Sequence, residues 1–290
     1  MRFGRRIRTQ TLRQRRRQIV VEGMAYLLAI IGSVILLLSQ ISMVDALQIH
    51  RVEMRGNDMT PSRELLKVVQ EKVRGHYISL FSRGNILLYP RWGIEREILE
   101  RFPRVKEVDV DFKNLTAISV NVVERKPVAR YCETNTVCFF LDEGGFIFAL
   151  APVVSGTSSD DFVYRGGGVQ ENPVGEHFLA PDMFRPLAEF VRAVATMGIE
   201  PMELTVAGER EYRLLLSGGA EVIFTPEESY VGVLENLRIV LGANELKTHL
   251  ADGRLLEVEY IDLRFGNKVF YRLHDTNLPD KQAGTQIENE

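Results

Sequence analysis

Met24 to Val44 is an unbroken apolar stretch without a formal charge. As a helix rising 1.5 Å per residue, its twenty-one residues cover about 30 Å, the thickness of a bilayer's hydrocarbon core. Beyond Asp45 the pattern changes to short segments of period 2 and period 3.6. Ile49 to Met54 alternates and stops at the turn signal Arg55-Gly56-Asn57. Thr60-Pro61 reads as an N-cap followed by proline at the first helical position, with Leu65, Val69 and Val73 along one face and Gly75 closing the helix. Ile94, Ile98 and Phe102 recur at four-residue spacing until Pro103. Val108, Val110 and Phe112 then oppose Asp109 and Asp111, and Ile118, Val120 and Val122 oppose Ser119 and Asn121, with Lys113-Asn114-Leu115-Thr116 as the turn of a hairpin. Strand, helix, helix, strand, strand predicts two helices on one face of a three-stranded sheet.

A strand-rich unit with two helices follows. Strands are expected over 128–132, 137–141, 146–150, 202–206, 212–216, 221–224, 257–263 and 268–271, with Ser217-Gly218-Gly219 as a hairpin turn. Helices are expected over 182–197, where Phe184, Leu187, Ala188, Val191 and Ala195 share a side, and over 228–247, where Val233, Leu237, Val240 and Leu241 do. The Ser- and Gly-rich stretch 155–172 reads as a loop, and 274–290 as a disordered tail. The fold class is therefore α+β: a basic segment 1–23, one transmembrane helix 24–44, a βααββ domain 49–124 and a strand-rich domain 125–273.

Charge orients the anchor. Residues 1–23 hold eight arginines and one glutamate, a charge of +7, which leaves −10 for the remainder of a chain whose formal charge is −3. Basic flanks stay on the cytoplasmic side, so the C-terminal domains are expected outside it. The arginines also suit anionic lipid headgroups. A cleaved secretory signal would have a shorter apolar core and a small-x-small site, and Ser42-Met43-Val44-Asp45-Ala46 is a poor one. An acidic exported part argues against a nucleic-acid partner.

The chemistry-bearing residues form no catalytic pattern. His50, His76, His177, His249 and His274 are scattered, and no Gly-x-Ser-x-Gly elbow or P-loop occurs. Neither a metal site nor a cofactor is expected. Cys132 and Cys138 flank a polar turn and are either a cross-hairpin disulfide or two half-buried thiols in neighbouring strands. What remains is binding through a sheet edge. Lys268-Val269-Phe270-Tyr271-Arg272 has the alternation and aromatic content for strand addition, and the tail behind it is not expected to cover it. Val269 and Tyr271 either join Phe270 in contacting a partner or pack inward.

Several strings resemble the bacterial division family FtsQ/DivIB, and they stand in the family's order. They are Val52 through Arg55-Gly56-Asn57, Phe102-Pro103-Arg104-Val105-Lys106, Val123-Glu124-Arg125-Lys126-Pro127-Val128-Ala129, Phe139-Phe140-Leu141-Asp142-Glu143-Gly144-Gly145-Phe146-Ile147-Phe148 and Tyr260-Ile261-Asp262-Leu263-Arg264-Phe265. The resemblance implies a POTRA domain followed by an FtsQ-type β domain. It implies a non-enzymatic scaffold at the division septum of the cytoplasmic membrane, with FtsB-like and FtsL-like bitopic proteins as partners. It also carries Arg264 and Phe265 over as partner contacts. A POTRA-containing polypeptide-transport or outer-membrane assembly component is the alternative, and it would need a C-terminal barrel.

Overall fold

The computed structural model describes residues 12–152, 162–168, 172–208, 211–227, 229–243, 246, 250–251, 254–266, 268–274 and 285–288. The chain is mixed α and β and divides into two compact units, Met1–Glu124 and Arg125–Glu290.

In the first unit, helix α1 runs from Leu12 to Ser42 without a break. It starts among the arginines, before Met24, and from Arg15 onward it is long and apolar enough to cross a membrane, with a mean hydropathy of 2.3. Arg2, Arg5, Arg6 and Arg8 of the basic segment lie outside the described residues. A single 3-10 turn, Asp45–Leu47, leads into β1 (Arg51–Arg55). Next come α2 (Ser62–Val73), a small hairpin of β2 (His76–Tyr77) and β3 (Phe81–Ser82), α3 (Arg91–Arg101), β4 (Val105–Asn114) and β5 (Ala117–Glu124).

This is the expected POTRA-type βααββ order with one extra hairpin between the helices. β5 is central in the order β1-β5-β4, parallel to β1 and antiparallel to β4. Leu65, Val68 and Val69 of α2, Ile94 and Ile98 of α3, and Val110, Ile118, Val120 and Val122 of the sheet close one core. The turn after β1 requires glycine, because Gly56 sits at φ 77° and a Cβ there would lie 2.1 Å from the Val122 carbonyl oxygen. Pro61, not Thr60, is the N-cap of α2, and it makes no side-chain cap. Instead Glu124 at the end of β5 accepts hydrogen bonds from the backbone amides of Met59 (3.0 Å) and Thr60 (2.7 Å).

The second unit is built on a ten-stranded sheet. Its strands are β6 (Ala129–Cys132), β7 (Cys138–Leu141), β8 (Ile147–Ala151), β9 (Val163–Gly166), β10 (Pro201–Val206), β11 (Tyr212–Leu216), β12 (Glu221–Phe224), β15 (Val258–Phe265), β16 (Lys268–Leu273) and β17 (Thr285–Glu288), with β13 (Leu250–Ala251) and β14 (Arg254–Leu255) as a separate hairpin. The spatial order is β17-β16-β15-β12-β11-β10-β9-β6-β7-β8. Helices α4 (Pro181–Thr196) and α5 (Tyr230–Gly242) share a core with the sheet. Phe184, Leu187 and Phe190 of α4 and Val233 and Leu237 of α5 cluster there with Tyr212, Leu214 and Leu216 of β11.

Two differences from the sequence reading matter. β9 lies inside the stretch expected to be a loop, pairing parallel with both β6 and β10, while 155–161 and 169–171 lie outside the described residues. The tail expected to be disordered contains β17, with 275–284 and 289–290 outside the described residues.

Candidate functional site

The candidate site is the hairpin of β15 and β16. Val258, Ile261 and Leu263 on β15 and Val269 and Tyr271 on β16 are buried, so alternation fixes which side chains face the core. Between Asp262 and Phe265 the register slips against β16, where Asp262 pairs with Phe270 and Phe265 with Lys268. The amide side chain of Asn236 in α5 donates to the Gly266 carbonyl at 2.7 Å and holds the turn, where Gly266 has φ 64°.

Arg264 is committed inside its own chain. Its Nε and Nη2 donate to the two carboxylate oxygens of Asp262 at 2.9 and 2.7 Å, and Nη1 donates to Glu211 at 2.6 Å. The hydrogen bond to Asp262, chiefly, raises the guanidinium above its ordinary pKa. Arg264, which the resemblance carries over as a partner contact, is half-buried and already chelated by two carboxylates. Asp262 is itself buried, and a lone buried carboxylate is costly, so the pair is a structural requirement of the hairpin.

Phe265 and Phe270 form an edge-to-face pair with ring centroids 5.1 Å apart, and Phe265 is 54% exposed. Of the two alternatives for Val269 and Tyr271, their side chains pack inward, at 1% and 6% exposure. From these two positions only the backbone is left to offer a partner, and that backbone is occupied. β17 pairs antiparallel with β16, setting Lys268 opposite Glu288, Val269 opposite Ile287, Phe270 opposite Gln286 and Tyr271 opposite Thr285. The edge expected to be uncovered is thus closed by the chain's own tail. Unpaired amides and carbonyls at an edge are a template for any extended segment, and one tethered within the same chain is present at high effective concentration.

Cys132 and Cys138 stand directly opposite each other in the register of β6 and β7 and are joined by a disulfide, their Cα atoms 4.1 Å apart. Among the described residues no group of three or more His, Cys, Asp or Glu is placed to hold a metal ion.

No family model matches the chain. It is 25% identical over 237 residues to the cell division protein FtsQ of Neisseria meningitidis serogroup B, covering 82% of this chain and 87% of that protein. It is also 25% identical over 237 residues to the cell division protein FtsQ of Neisseria gonorrhoeae, covering 84% of the latter. Over most of its length the chain is thus similar to bacterial FtsQ proteins, at the level of one residue in four. Two of the FtsQ-like strings now have physical meanings. Tyr260 to Phe265 encodes the Asp262–Arg264 pair, with Leu263 inward and Phe265 outward. In the string ending Gly144-Gly145, a Cβ on Gly145, at φ 76°, would lie 2.6 Å from the Phe184 ring.

Glu211, the second carboxylate on Arg264, and Asn236, the clamp on Gly266, were not identified from sequence. The first is 53 residues from its partner and the second 30, and no local pattern marks either.

Proposed function

We propose that this chain acts in bacterial cell division as a non-enzymatic, single-pass scaffold. Its N-terminus lies in the cytoplasm, where the arginines meet anionic lipid, and its two folded units lie outside the cytoplasmic membrane at the septum. The second unit captures an extended segment of a small bitopic partner of the FtsB and FtsL kind. The POTRA domain, taken as 49–124, contributes to recruitment, and the β domain, 125–273, to capture.

One observation carries this reading: among the described residues the outer edge of β16 is closed by a four-residue strand of the tail, and it stands beside the pair Phe265 and Phe270. A partner strand that replaces β17 gains the same backbone hydrogen bonds and adds apolar contact with the two rings. Val269 and Tyr271 contribute backbone alone, and Arg264 shapes the hairpin that presents the rings. The likeness to two proteins named as cell division proteins supports the setting.

The test is co-purification from membranes with the double variant Phe265→Glu/Phe270→Glu. Capture of the FtsB-like partner is expected to be lost while the melting temperature of the variant stays close to that of the parent. Undiminished capture by a folded double variant overturns the edge-strand reading.

A further inference from the structure

Helix α1 does not end freely above the membrane. Ser39 and Ser42 in its last turn are 3% and 4% exposed, and the small β2–β3 hairpin region supplies their partners. The Ser39 hydroxyl donates to the Leu80 carbonyl at 2.6 Å, and the Ser82 amide donates to the Ser42 hydroxyl at 3.3 Å. The Ser42 carbonyl, one of the acceptors that a helix end leaves open, receives Asn85 Nδ2 at 3.0 Å and Gln48 Nε2 at 2.6 Å. The Ile49 amide donates to Gly84 and the Ile86 amide to Leu47, both at 2.8 Å, so the segment after the helix is stitched to the same loop.

Depth follows from these bonds. Ser39 precedes Val44, the end of the apolar stretch, by five residues, or about 8 Å of helix. Leu80 is therefore held level with residues that lie within the span, and the tip of its hairpin projects at that level. The tip carries Ile78, 88% exposed, at φ 51°, followed by Ser79 at φ 60°. A left-handed backbone is unfavourable for a β-branched residue, and in water nothing repays turning an isoleucine outward there. Leu87 is likewise 73% exposed. Between the hairpin and the helix lies an open groove of about 360 Å³, lined by Leu38, Ile41, Tyr77, Phe81, Leu87 and Leu88 among others. The Arg83 guanidinium stands over the Tyr77 ring at 5.0 Å, a cation and an aromatic side by side as at a headgroup boundary.

We infer that the 77–88 loop of the first unit is a second membrane contact, with Ile78 and Leu87 inserted into the outer face of the bilayer that α1 spans and a lipid acyl chain lying in the groove. The inference rests on the reading of α1 as a transmembrane helix. Lipid is the occupant because two walls of the groove, Leu38 and Ile41, belong to the span itself, where lipid is the surrounding medium. The loop fixes the first unit against the membrane at two points, so that it cannot swivel about Asp45 to Leu47.

The test uses the full chain in vesicles, with Trp92, its single tryptophan, replaced by phenylalanine. A new tryptophan is placed at Ile78, at Leu87, at Met59 or at Leu36, and its fluorescence is compared in ordinary and brominated phosphatidylcholine. Leu36→Trp reports the span. Met59→Trp reports the turn beyond the far end of β1, whose Arg55 lies about 13 Å of strand away from Arg51. Quenching of Ile78→Trp and Leu87→Trp at least about twofold greater than that of Met59→Trp, with blue-shifted emission, is expected for side chains at the interface. If Leu36→Trp is quenched while both loop positions match Met59→Trp, the loop does not touch lipid and the inference falls while the anchor stands. If Leu36→Trp is not quenched, the transmembrane reading falls and takes the loop with it. Loop positions that become shielded only on adding a purified division partner show the groove to be a protein site and equally overturn the lipid assignment.

Discussion

Arg125 donates to the Asp142 carboxylate and lies over the Phe146 ring at 4.0 Å. Two strings that resemble the FtsQ family, seventeen residues apart between these positions, thereby meet at one ion pair whose members are 18% and 3% exposed. Asp142 also caps the β7–β8 turn, its Oδ1 accepting from the Gly144 and Phe146 amides at 2.8 and 3.0 Å.

Removing the cation alone leaves a buried carboxylate without its counter-charge. Arg125→Ala is expected to destabilise the second unit by about 3–5 kcal/mol. Adding Asp142→Asn, which keeps the capping oxygen and removes the charge, is expected to restore part of that loss. Thermal unfolding of the full chain in detergent checks both, and a melting temperature unchanged in Arg125→Ala contradicts the account.

Glu124 gives a pH-dependent prediction in the first unit. Burial pushes its carboxyl up, but hydrogen bonds from Thr60 and from the Met59 amide outweigh that and hold it below its ordinary 4.5. A carboxyl whose pKa is depressed by folding adds stability that is complete above 4.5 and fades as pH falls through the lower folded value. Glu124→Gln is therefore expected to cost about 1 kcal/mol at pH 7. The gap to the parent should close below pH 4.5, as the parent protonates. Urea unfolding at pH 7 and pH 3.5 measures it, and a gap that persists at the lower pH assigns the effect to shape and not charge.

The Cys132–Cys138 disulfide closes a short loop, with a sequence separation of 6. Loop-closure entropy for so short a ring is worth roughly 2 kcal/mol. A reducing agent is expected to lower the melting temperature of the parent and to have no effect on Cys132→Ser/Cys138→Ser. A shift of equal size in the double variant means that reduction acts elsewhere.

Local periodicity made most of this fold legible. Leu65, Ile94, Ile98 and the alternating residues of β4 and β5 mark the first unit because each element there buries one face against its neighbours in sequence. β9 escaped because Val163 and Tyr164 are too few apolar residues among glycine, serine and aspartate to read as a strand; its pairing comes from β6 and β10, about thirty to forty residues away on either side. At the candidate site, the alternation of 268–272 located the edge but left the facing of Val269 and Tyr271 open. For Arg264 the motif shows which residues recur together and not that Asp262 and Glu211 already hold the guanidinium. β17 is four residues in a polar tail, and only the open edge of β16 gives it a reason to be a strand.

That last point yields a prediction opposite to the one a disordered tail would give. If β17 occupies the edge that a partner strand needs, the two compete, and the apparent affinity is reduced by the fraction of molecules whose edge is closed. Deleting 277–290 is expected to strengthen partner capture about 3- to 30-fold while leaving the melting temperature nearly unchanged, because the core that holds Val269 and Tyr271 is drawn from the other strands and the two helices. Gln286→Pro/Ile287→Pro tests the same contact without shortening the chain, since of two successive residues in an antiparallel edge strand one directs its amide at the neighbour and proline has none. Titration of the purified FtsB-like partner against each full-length protein in detergent reads the effect. Unchanged affinity in both variants places the partner away from β16, and weakened affinity makes β17 itself the strand on which the partner builds.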